Sequence, residues 1–286
     1  STQSSPSHWI YYLGLLLTVT VWGVNFPVIK IVLAELHPLI VNAIRMTLST
    51  ILLGIVYWAR QRHQPSAPPT TLQSNAWRII GLGLIGHGLY QLAFIFGLNY
   101  TTAGNGALIM ASAPFWTAIT GYLLGSDRIS LIAWSGLVLT ILGTAVVVLG
   151  GQKEVSLAAH TFLGNFVMVG ASAGWGIYTA LSKPLLGRVS PLGLTFFTML
   201  IAPPVFWGLS IPYLEAVEWG RLSWKVWAAL VYSGALSTGL AYVLWNRAVK
   251  FVGASHTAGF GNLVPLVALV SGYLLLGEPL FLMQLV

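Results

Sequence analysis

The sequence contains one short motif twice: Val-Trp-Gly-Val-Asn-Phe-Pro at residues 21–27 and Gly-Trp-Gly-Ile-Tyr-Thr-Ala at residues 174–180. The Trp-Gly pair, a following lysine and a following proline recur at one separation of 153 residues, in the pairs Trp22/Trp175, Gly23/Gly176, Lys30/Lys183 and Pro38/Pro191. A match of this kind indicates an internal repeat, which has to be identified before any fold is assigned.

A second block of residues supports the same repeat at a separation of 151 residues. Its pairs are Ala103/Ala254, Ala107/Ala258, Pro114/Pro265, Gly121/Gly272, Tyr122/Tyr273, Leu123/Leu274, Leu124/Leu275 and Asp127/Glu278. Two ordered blocks whose separations differ by only two residues make coincidence an inadequate explanation. The sequence therefore predicts two repeats, residues 1–150 and residues 151–286.

The composition predicts a membrane protein. Of the 286 residues, 56% are hydrophobic and 7% are charged, whereas an average soluble domain carries roughly 25% charged residues. So few charges exclude a soluble enzyme and a disordered chain. The thirteen basic residues outnumber the six acidic ones, but they are scattered between apolar runs, which excludes a nucleic-acid-binding face. Cysteine is absent, so no thiolate nucleophile or cysteine metal site exists.

Apolar runs of about 20 residues predict the membrane-spanning helices. They lie at residues 9–32, 38–59, 77–98, 102–124, 130–150, 161–183, 190–212, 225–247 and 255–276, and a tenth begins near Pro279. Each repeat then holds five spans, and an odd number inserts consecutive copies in opposite directions. We expect an all-α integral membrane protein, a ten-transmembrane-helix bundle of two inverted five-helix repeats with the tenth helix truncated in this chain.

The distribution of basic residues predicts the orientation. With the N-terminus inside, Arg60, Arg62, Arg78, Arg128, Lys183, Arg188, Arg247 and Lys250 face the cytoplasm, and Lys30, Lys153, Arg221 and Lys225 lie outside. Basic residues near the ends of the spans favour the cytoplasmic side. We therefore expect a multi-pass protein with a cytoplasmic N-terminus.

These motifs resemble the EamA family of the drug/metabolite transporter superfamily. The resemblance rests on residues 21–27, on residues 174–180 and on Leu-Leu-Gly-Glu at residues 275–278, in order and across the whole chain. The first half departs from the family pattern, with Gly-Ser-Asp-Arg at residues 125–128 where a Gly-Glu-Arg ending is expected. The resemblance implies a bacterial inner-membrane exporter of amino acids and related metabolites, similar to exporters of the YddG type, whereas other branches carry nucleotide sugars, triose phosphates or cations.

Polar and aromatic side chains that share helix faces at membrane depth predict a central cavity. His87, Tyr90, Gln91 and Phe94 share one face of the third span at spacings of three and four residues. The other spans expected to line the cavity add further candidates. The predicted substrate-binding residues are Trp22, Asn25, His87, Tyr90, Gln91, Phe94, Asn105, Trp175, Tyr178, Tyr242 and Asn262. For each of them, core packing or hydrogen bonding between helices is the competing interpretation.

The ionisable residues shape the expected mechanism. All six carboxylates lie in loops or at helix ends, which favours uncoupled or weakly coupled transport by alternating access. A cavity of dipoles without fixed charge suits a zwitterionic amino acid. Two alternatives remain open: an exporter of organic cations or drugs held against Trp22 or Trp175, and a proton-coupled antiporter of other metabolites in which His87 relays the proton.

The expected partners are therefore a small-molecule substrate and the lipid bilayer. The residue patterns contain neither a catalytic set nor metal-ligand spacing, so we expect no enzyme activity, no cofactor, no metal and no nucleic acid. The sequence leaves the oligomeric state open, and a monomer is compatible with it.

Overall fold

The computed structural model of the chain describes residues 9–63, 69–125, 131–150 and 158–278. These residues form helices joined by short connections and contain no strand, so the predicted all-α class is confirmed. The first half contains α1 (Trp9–Leu33), α2 (Pro38–His63), α3 (Pro69–Ser74), α4 (Ala76–Gly83), α5 (Tyr90–Tyr100), α6 (Ala103–Met110), α7 (Ala113–Leu123) and α8 (Leu131–Gly150). The second half contains α9 (Ala158–Leu186), α10 (Pro191–Met199), α11 (Ala202–Leu214), α12 (Trp224–Val231), α13 (Ala241–Phe251), α14 (Ala254–Phe260) and α15 (Val264–Leu276).

Seven helical segments within the described ranges are long and apolar enough to cross a membrane. They are Trp9–Leu33, Pro38–Arg62, Ala76–Tyr100, Ala103–Leu123, Pro191–Leu214, Trp224–Phe251 and Ala254–Leu276. The fifth and sixth predicted spans correspond to α8 and α9, which are helices of 20 and 29 residues. The tenth predicted span lies outside the described residues, and the full ten-helix count stays a prediction.

Two of the spans contain a π-helical segment. Leu84–Leu89 joins α4 to α5, and Tyr232–Leu240 joins α12 to α13. A π-helical segment widens the helix and changes the direction of the side chains that follow it, and such segments often lie at functional sites. Both segments precede residues that the sequence places in the cavity, Tyr90 and Tyr242.

Two other spans are interrupted beside a proline. The helix break between α6 and α7 precedes Pro114, and a 3₁₀ turn at Gly261–Leu263 precedes Pro265. Proline cannot donate the backbone hydrogen bond that a continuous helix requires. The two prolines are 151 residues apart, so the breaks fall at matching positions of the two halves.

α1 and α9 form the centre of the bundle. α1 packs against α13 and α15, and α9 packs against α5 and α7. Glycine allows close contact in both cases. A Cβ at Gly176 would lie 2.5 Å from the Cβ of Trp116 and 2.7 Å from the carbonyl oxygen of Ala113, and a Cβ at Gly23 would overlap the side chain of Val267.

Candidate functional site

A cluster of aromatic rings from four helices lies at the centre of the bundle. Trp22 of α1 meets Trp175 of α9 edge-on with ring centroids 5.2 Å apart, and Trp175 meets Tyr242 of α13 at 4.9 Å. Tyr90 of α5 lies 5.2 Å from the Trp175 ring. Aromatic pairs at such separations favour edge-to-face and tilted arrangements. The four rings form one continuous aromatic wall.

Hydrogen bonds hold Trp22 of this wall and the neighbouring Trp245 in place. The indole nitrogen of Trp22 donates to the carbonyl oxygen of Ser237, 2.9 Å away in the π-helical segment. The indole nitrogen of Trp245, whose ring lies 4.9 Å from Trp22, donates to the hydroxyl of Thr179 at 3.2 Å. A buried indole N–H usually has such a partner. Both tryptophans are therefore fixed by contacts between the two halves or between helices of one half.

The polar part of the site depends on α5. The Gln91 amide nitrogen donates to the Tyr242 hydroxyl at 2.6 Å, so two residues that the repeat aligns are hydrogen-bonded to each other. The Gln91 side-chain oxygen and the Asn25 side-chain oxygen have no hydrogen-bond partner, although both are buried. Buried polar atoms without partners are uncommon in native structures, and here both belong to residues that line a cavity.

The cavity between these residues has a volume of about 50 Å³. A buried water needs roughly 10–15 Å³ by this measure, and small-molecule sites commonly occupy ~300 Å³ or more. The cavity thus admits a few waters and no whole amino acid in this conformation. A cargo of that size requires the aromatic wall to move apart.

Seven of the eleven predicted substrate-binding residues line the cavity: Trp22, Asn25, Tyr90, Gln91, Phe94, Trp175 and Tyr242. They come from α1, α5, α9 and α13. The structure thus brings together residues that are up to 220 positions apart in the sequence. Their role in binding remains a prediction.

The other four predicted residues do not line the cavity. His87 lies behind the wall, with its Nε2 3.0 Å from the Thr198 hydroxyl and its ring 5.2 Å from Tyr242. Tyr178 stacks on Trp175 at 5.2 Å, and its hydroxyl accepts a hydrogen bond from Asn246 at 2.8 Å. Asn105 lies half-buried in α6, and Asn262 is exposed in the 3₁₀ turn. His87 and Tyr178 support the aromatic wall from behind.

Arg45 of α2 is the main cavity residue missing from the predicted set. The second span was not expected in the cavity wall, but Arg45 lines the cavity and is only 1% exposed. The expectation of a cavity without fixed charge is therefore wrong. The signal was present in the sequence, since Arg45 is the one charged residue of α2 away from its C-terminal end, where Arg60 and Arg62 lie. An ionisable residue within a span indicates a functional site. Trp245 and Thr238 are further lining residues outside the predicted set.

Metal binding finds no support in the part of the chain that the structure describes. Within residues 9–63, 69–125, 131–150 and 158–278, no three His, Asp or Glu side chains are grouped closely enough to hold an ion. The site consists of aromatic rings, amides, hydroxyls and one guanidinium. Such groups can bind a small molecule, but they lack the pair of reacting groups that acid–base catalysis needs.

The fold and the site define a multi-pass helical membrane protein with a central cavity between its two halves. The sequence profile of the EamA-like transporter family matches residues 9–149 and 162–286. The chain therefore belongs to the EamA-like transporter family, and it is a membrane transporter rather than an enzyme. The predicted family resemblance is confirmed.

Several relatives resemble the chain over most of its length. A probable amino-acid metabolite efflux pump of Salmonella typhimurium is 30% identical, covering 94% of this chain and 88% of the pump. A probable terminal-alkyne amino-acid exporter of Streptantibioticus cattleyicolor is 28% identical, covering 93% of this chain and 85% of the exporter. One solved crystal structure superposes with a TM-score of 0.68 at 16% identity, covering 98% of this chain and 92% of the other. That likeness concerns the fold alone.

Proposed function

We propose that the chain exports neutral amino acids, aromatic ones included, and related small metabolites across the bacterial inner membrane. The observation that carries this proposal is the contact between Trp22 and Trp175 in the lining of the central cavity. Indole rings can stack on aromatic or aliphatic cargo side chains while their polar edges stay hydrogen-bonded. The two relatives named as amino-acid exporters over nearly the whole chain point to the same cargo class.

The proposed architecture is two inverted five-helix repeats, residues 1–150 and 151–286. Close packing at matching positions supports it. Gly23 lies against Val267, and Gly176 lies against Trp116. The two glycines occupy matching positions of the repeat, and so do Trp116 and Val267. Inverted repeats place a substrate site near the bilayer midplane, where the two halves meet. We retain the cytoplasmic N-terminus on the basic-residue bias.

The proposed mechanism is alternating access with no ion coupling or weak coupling. Both halves contribute to the cavity, so relative movement of the halves would open it to one side of the membrane at a time. The four carboxylates within the described ranges, Glu35, Glu215, Glu218 and Glu278, lie outside the candidate spans. A carboxylate at membrane depth is a common feature of proton relays, and the placement of these four favours uncoupled transport.

Organic cations are a weaker candidate cargo. Trp22 and Trp175 offer aromatic faces that can attract a cation, but Arg45 in the same lining repels one. A proton-coupled antiporter relying on His87 is also less favoured, since His87 lies behind the aromatic wall and bonds to Thr198. Amino acids with balanced charges fit the lining better than either alternative.

The test is uptake by purified protein in proteoliposomes, with a panel of radiolabelled neutral amino acids beside a sugar phosphate and a quaternary ammonium ion. We expect saturable transport of phenylalanine, tryptophan or leucine and none of the two contrast compounds. The sugar phosphate or the ammonium ion as the sole transported compound would overturn the proposal.

Two variants test the cavity itself. Trp22→Ala and Trp175→Ala should each lower transport at least ~10-fold, because aromatic anchors in buried pockets dominate binding. Trp224→Ala is the matched control, since that tryptophan is 75% exposed. All three proteins are first compared by size-exclusion chromatography. Full transport by both cavity variants would contradict the assignment of the site.

A further inference from the structure

Arg45 is a buried cation beside the central cavity. It lies in α2, it is 1% exposed, and it lines the cavity together with Gln91 and Tyr242. Taking a guanidinium out of water costs several kcal/mol unless an anion or a set of hydrogen bonds compensates for the lost hydration. The contacts of Arg45 therefore indicate the role of this buried charge.

Within the described ranges Arg45 has no carboxylate partner. The described acidic residues, Glu35, Glu215, Glu218 and Glu278, lie at the ends of the spans. One terminal nitrogen of the guanidinium donates to the Asn42 side-chain oxygen at 2.8 Å, and its Nε has no hydrogen-bond partner. The positive charge is thus retained in the interior with one neutral hydrogen bond and an unused donor.

Neighbouring contacts hold Arg45 in position. The amide nitrogen of Asn42 donates to the backbone carbonyl of Gln91 at 2.8 Å, so the oxygen of Asn42 points to the guanidinium. The backbone of α2 is also close to the π-helical segment, because a Cβ at Gly234 would lie only 3.1 Å from the carbonyl oxygen of Arg45. The charge is therefore fixed at the cavity wall before any cargo arrives.

The equivalent contact in the other half forms without a cation. Gly83 lies 151 residues before Gly234, and a Cβ at Gly83 would lie 2.6 Å from the carbonyl oxygen of Thr198. Thr198 in turn is 153 residues after Arg45, which is the spacing of the first repeat block. The same helix packing is thus achieved with a neutral threonine. Packing of these helices therefore does not require an arginine at this position.

Three buried side-chain atoms of the lining lack hydrogen-bond partners: the Arg45 Nε, the Gln91 Oε1 and the Asn25 Oδ1. The first is a donor on a cation, and the other two are acceptors. A zwitterionic α-amino acid carries the complementary set, a carboxylate that accepts and an ammonium group that donates. Arginine is also the side chain best suited to bind a carboxylate through two parallel hydrogen bonds.

We propose that Arg45 binds the carboxylate of the cargo, with the amide oxygens of Gln91 and Asn25 available to its ammonium group. This inference rests on the proposed function and narrows it, since the site then selects compounds that carry a carboxylate. The aromatic wall takes the cargo side chain, and Arg45 fixes the orientation of the backbone groups. An amine of the same size without the carboxylate is rejected.

The test measures binding of three matched probes to the purified full chain in detergent: phenylalanine, 3-phenylpropionate, which lacks the ammonium group, and phenethylamine, which lacks the carboxylate. Quenching of tryptophan fluorescence and thermal-shift titration report the affinities. We expect the first two probes to bind. Phenethylamine should bind at least ~10-fold more weakly than phenylalanine, because the guanidinium repels its ammonium group and finds no carboxylate on it.

The variants are Arg45→Gln, Arg45→Lys and the control Arg221→Gln, whose side chain is 83% exposed. Arg45→Gln should weaken binding of phenylalanine and 3-phenylpropionate at least ~10-fold, and Arg45→Lys by less, because lysine keeps the charge but not the two-pronged geometry. Arg221→Gln should bind as the wild type does. If Arg45→Gln fails to fold, the probe series on the wild type and on Arg45→Lys decides the question.

The outcomes separate this inference from the proposed function. Phenylalanine transport that survives Arg45→Gln unchanged, or equal affinity of the wild type for phenethylamine and phenylalanine, overturns the role of Arg45 and leaves amino-acid export standing. Binding of 3-phenylpropionate that depends on Arg45, without transport of any amino acid, supports the role and overturns amino-acid export. Failure of the wild type to bind either carboxylate probe overturns the role of Arg45.

Discussion

Two helix contacts use the same backbone geometry with different side chains. In one, α2 meets the π-helical segment at Gly234, and in the other, α10 meets the end of α4 at Gly83. In both, a glycine lies against a carbonyl oxygen of the facing helix, that of Arg45 in one case and that of Thr198 in the other. The first contact carries a buried charge at the cavity. The second carries a neutral hydroxyl that bonds to His87 behind the wall.

This difference separates architecture from chemistry. The spacing of small residues, prolines and helix breaks is shared by the two halves, whereas the polar groups of the cavity are not. Asn25, Arg45 and Gln91, the amide and guanidinium groups of the lining, all come from the first half. A lining whose amide and guanidinium groups come from one half can bind a zwitterion in a single orientation.

The largest effects should come from the shared backbone contacts. Gly176→Ala places a Cβ 2.7 Å from the Ala113 carbonyl oxygen and 2.8 Å from the Thr117 backbone nitrogen. Backbone atoms cannot move aside easily, so we expect a loss of stability of about 1–3 kcal/mol or more. Gly23→Ala should lose stability on the same scale, because its Cβ would overlap the Cβ of Val267 and lie 3.1 Å from the backbone nitrogen of Ala268. The measurement is the thermal unfolding midpoint in detergent.

Gly81→Ala and Gly170→Ala are the controls for these substitutions, because a Cβ at either position meets no atom within 4 Å. Both should unfold at the wild-type midpoint or slightly above it, since alanine favours helix over glycine. Wild-type stability of Gly176→Ala would contradict this expectation, because the close approach of α9 and α7 would then not matter for folding.

An intermediate effect on stability is expected at Thr198, the neutral residue of the second half that corresponds to Arg45. Thr198→Val removes the hydroxyl 3.0 Å from His87 Nε2, and the other ring nitrogen of His87 already lacks a partner. Leaving a buried polar group unsatisfied costs about 1–3 kcal/mol. The unfolding midpoint should therefore fall, whereas the affinity for amino acids should change less than ~3-fold, because Thr198 does not line the cavity.

Thr198→Ser is the matched control, since it keeps the hydroxyl and should keep most of the stability. The contrast with Arg45→Gln is the informative result: one variant should lose stability and the other cargo affinity. A loss of affinity in Thr198→Val as large as that in Arg45→Gln would show that the two halves share the polar function.

The smallest effect concerns two helix N-termini at matching positions of the two halves. The first half has an ionisable side chain there and the second half has a neutral one. Ser190 caps α10 by accepting a hydrogen bond from the backbone nitrogen of Gly193, and His37 Nδ1 accepts one from Leu39 at 3.4 Å before α2. Burial lowers the pKa of His37 below its ordinary value of 6.5. The unfolded chain therefore takes up the proton first, and stability is lost as the pH falls below about 6.5 and through the lower pKa of the folded state.

The measurement is the unfolding midpoint between about pH 7.5 and about pH 5.5. His37→Ser copies the cap of the second half, so its midpoint should fall less over this interval than the wild-type midpoint. The slope with pH is the quantity compared, because the variant also loses the stacking of His37 on Tyr213 at 3.6 Å. Equal slopes would remove His37 as the source of the dependence.

The sequence predicted the helices well and the site in part. The limits of candidate spans such as Trp9–Leu33 and Ala254–Leu276 lie within a few residues of the predicted ones, because apolar length and flanking prolines determine them locally. The face of α5 with Tyr90, Gln91 and Phe94 also followed from helical spacing. The two π-helical segments were not predicted from the sequence. Each lies inside a predicted span and changes the direction of the side chains after it, whereas the prediction assumed a regular helix.

Arg45 shows why the rest of the site was missed. Its position in α2 pointed to function, but whether a side chain enters a cavity depends on how α2 packs against the second half. That packing is set by Gly234 and its neighbours, almost 190 residues away. Asn262 failed to reach the cavity for a similar reason, because the 3₁₀ turn at Gly261–Leu263 leaves it exposed.

We propose a carrier of amino acids that works by alternating access with no ion coupling or weak coupling, and counterflow is the strictest test of this proposal. Proteoliposomes containing the wild-type protein are loaded with unlabelled phenylalanine and diluted into a trace of labelled phenylalanine, with no ion gradient across the membrane. We expect transient, saturable accumulation of label that is absent from vesicles without internal phenylalanine. Linear flux without stimulation by internal phenylalanine, or uptake that requires an imposed pH gradient, would contradict it.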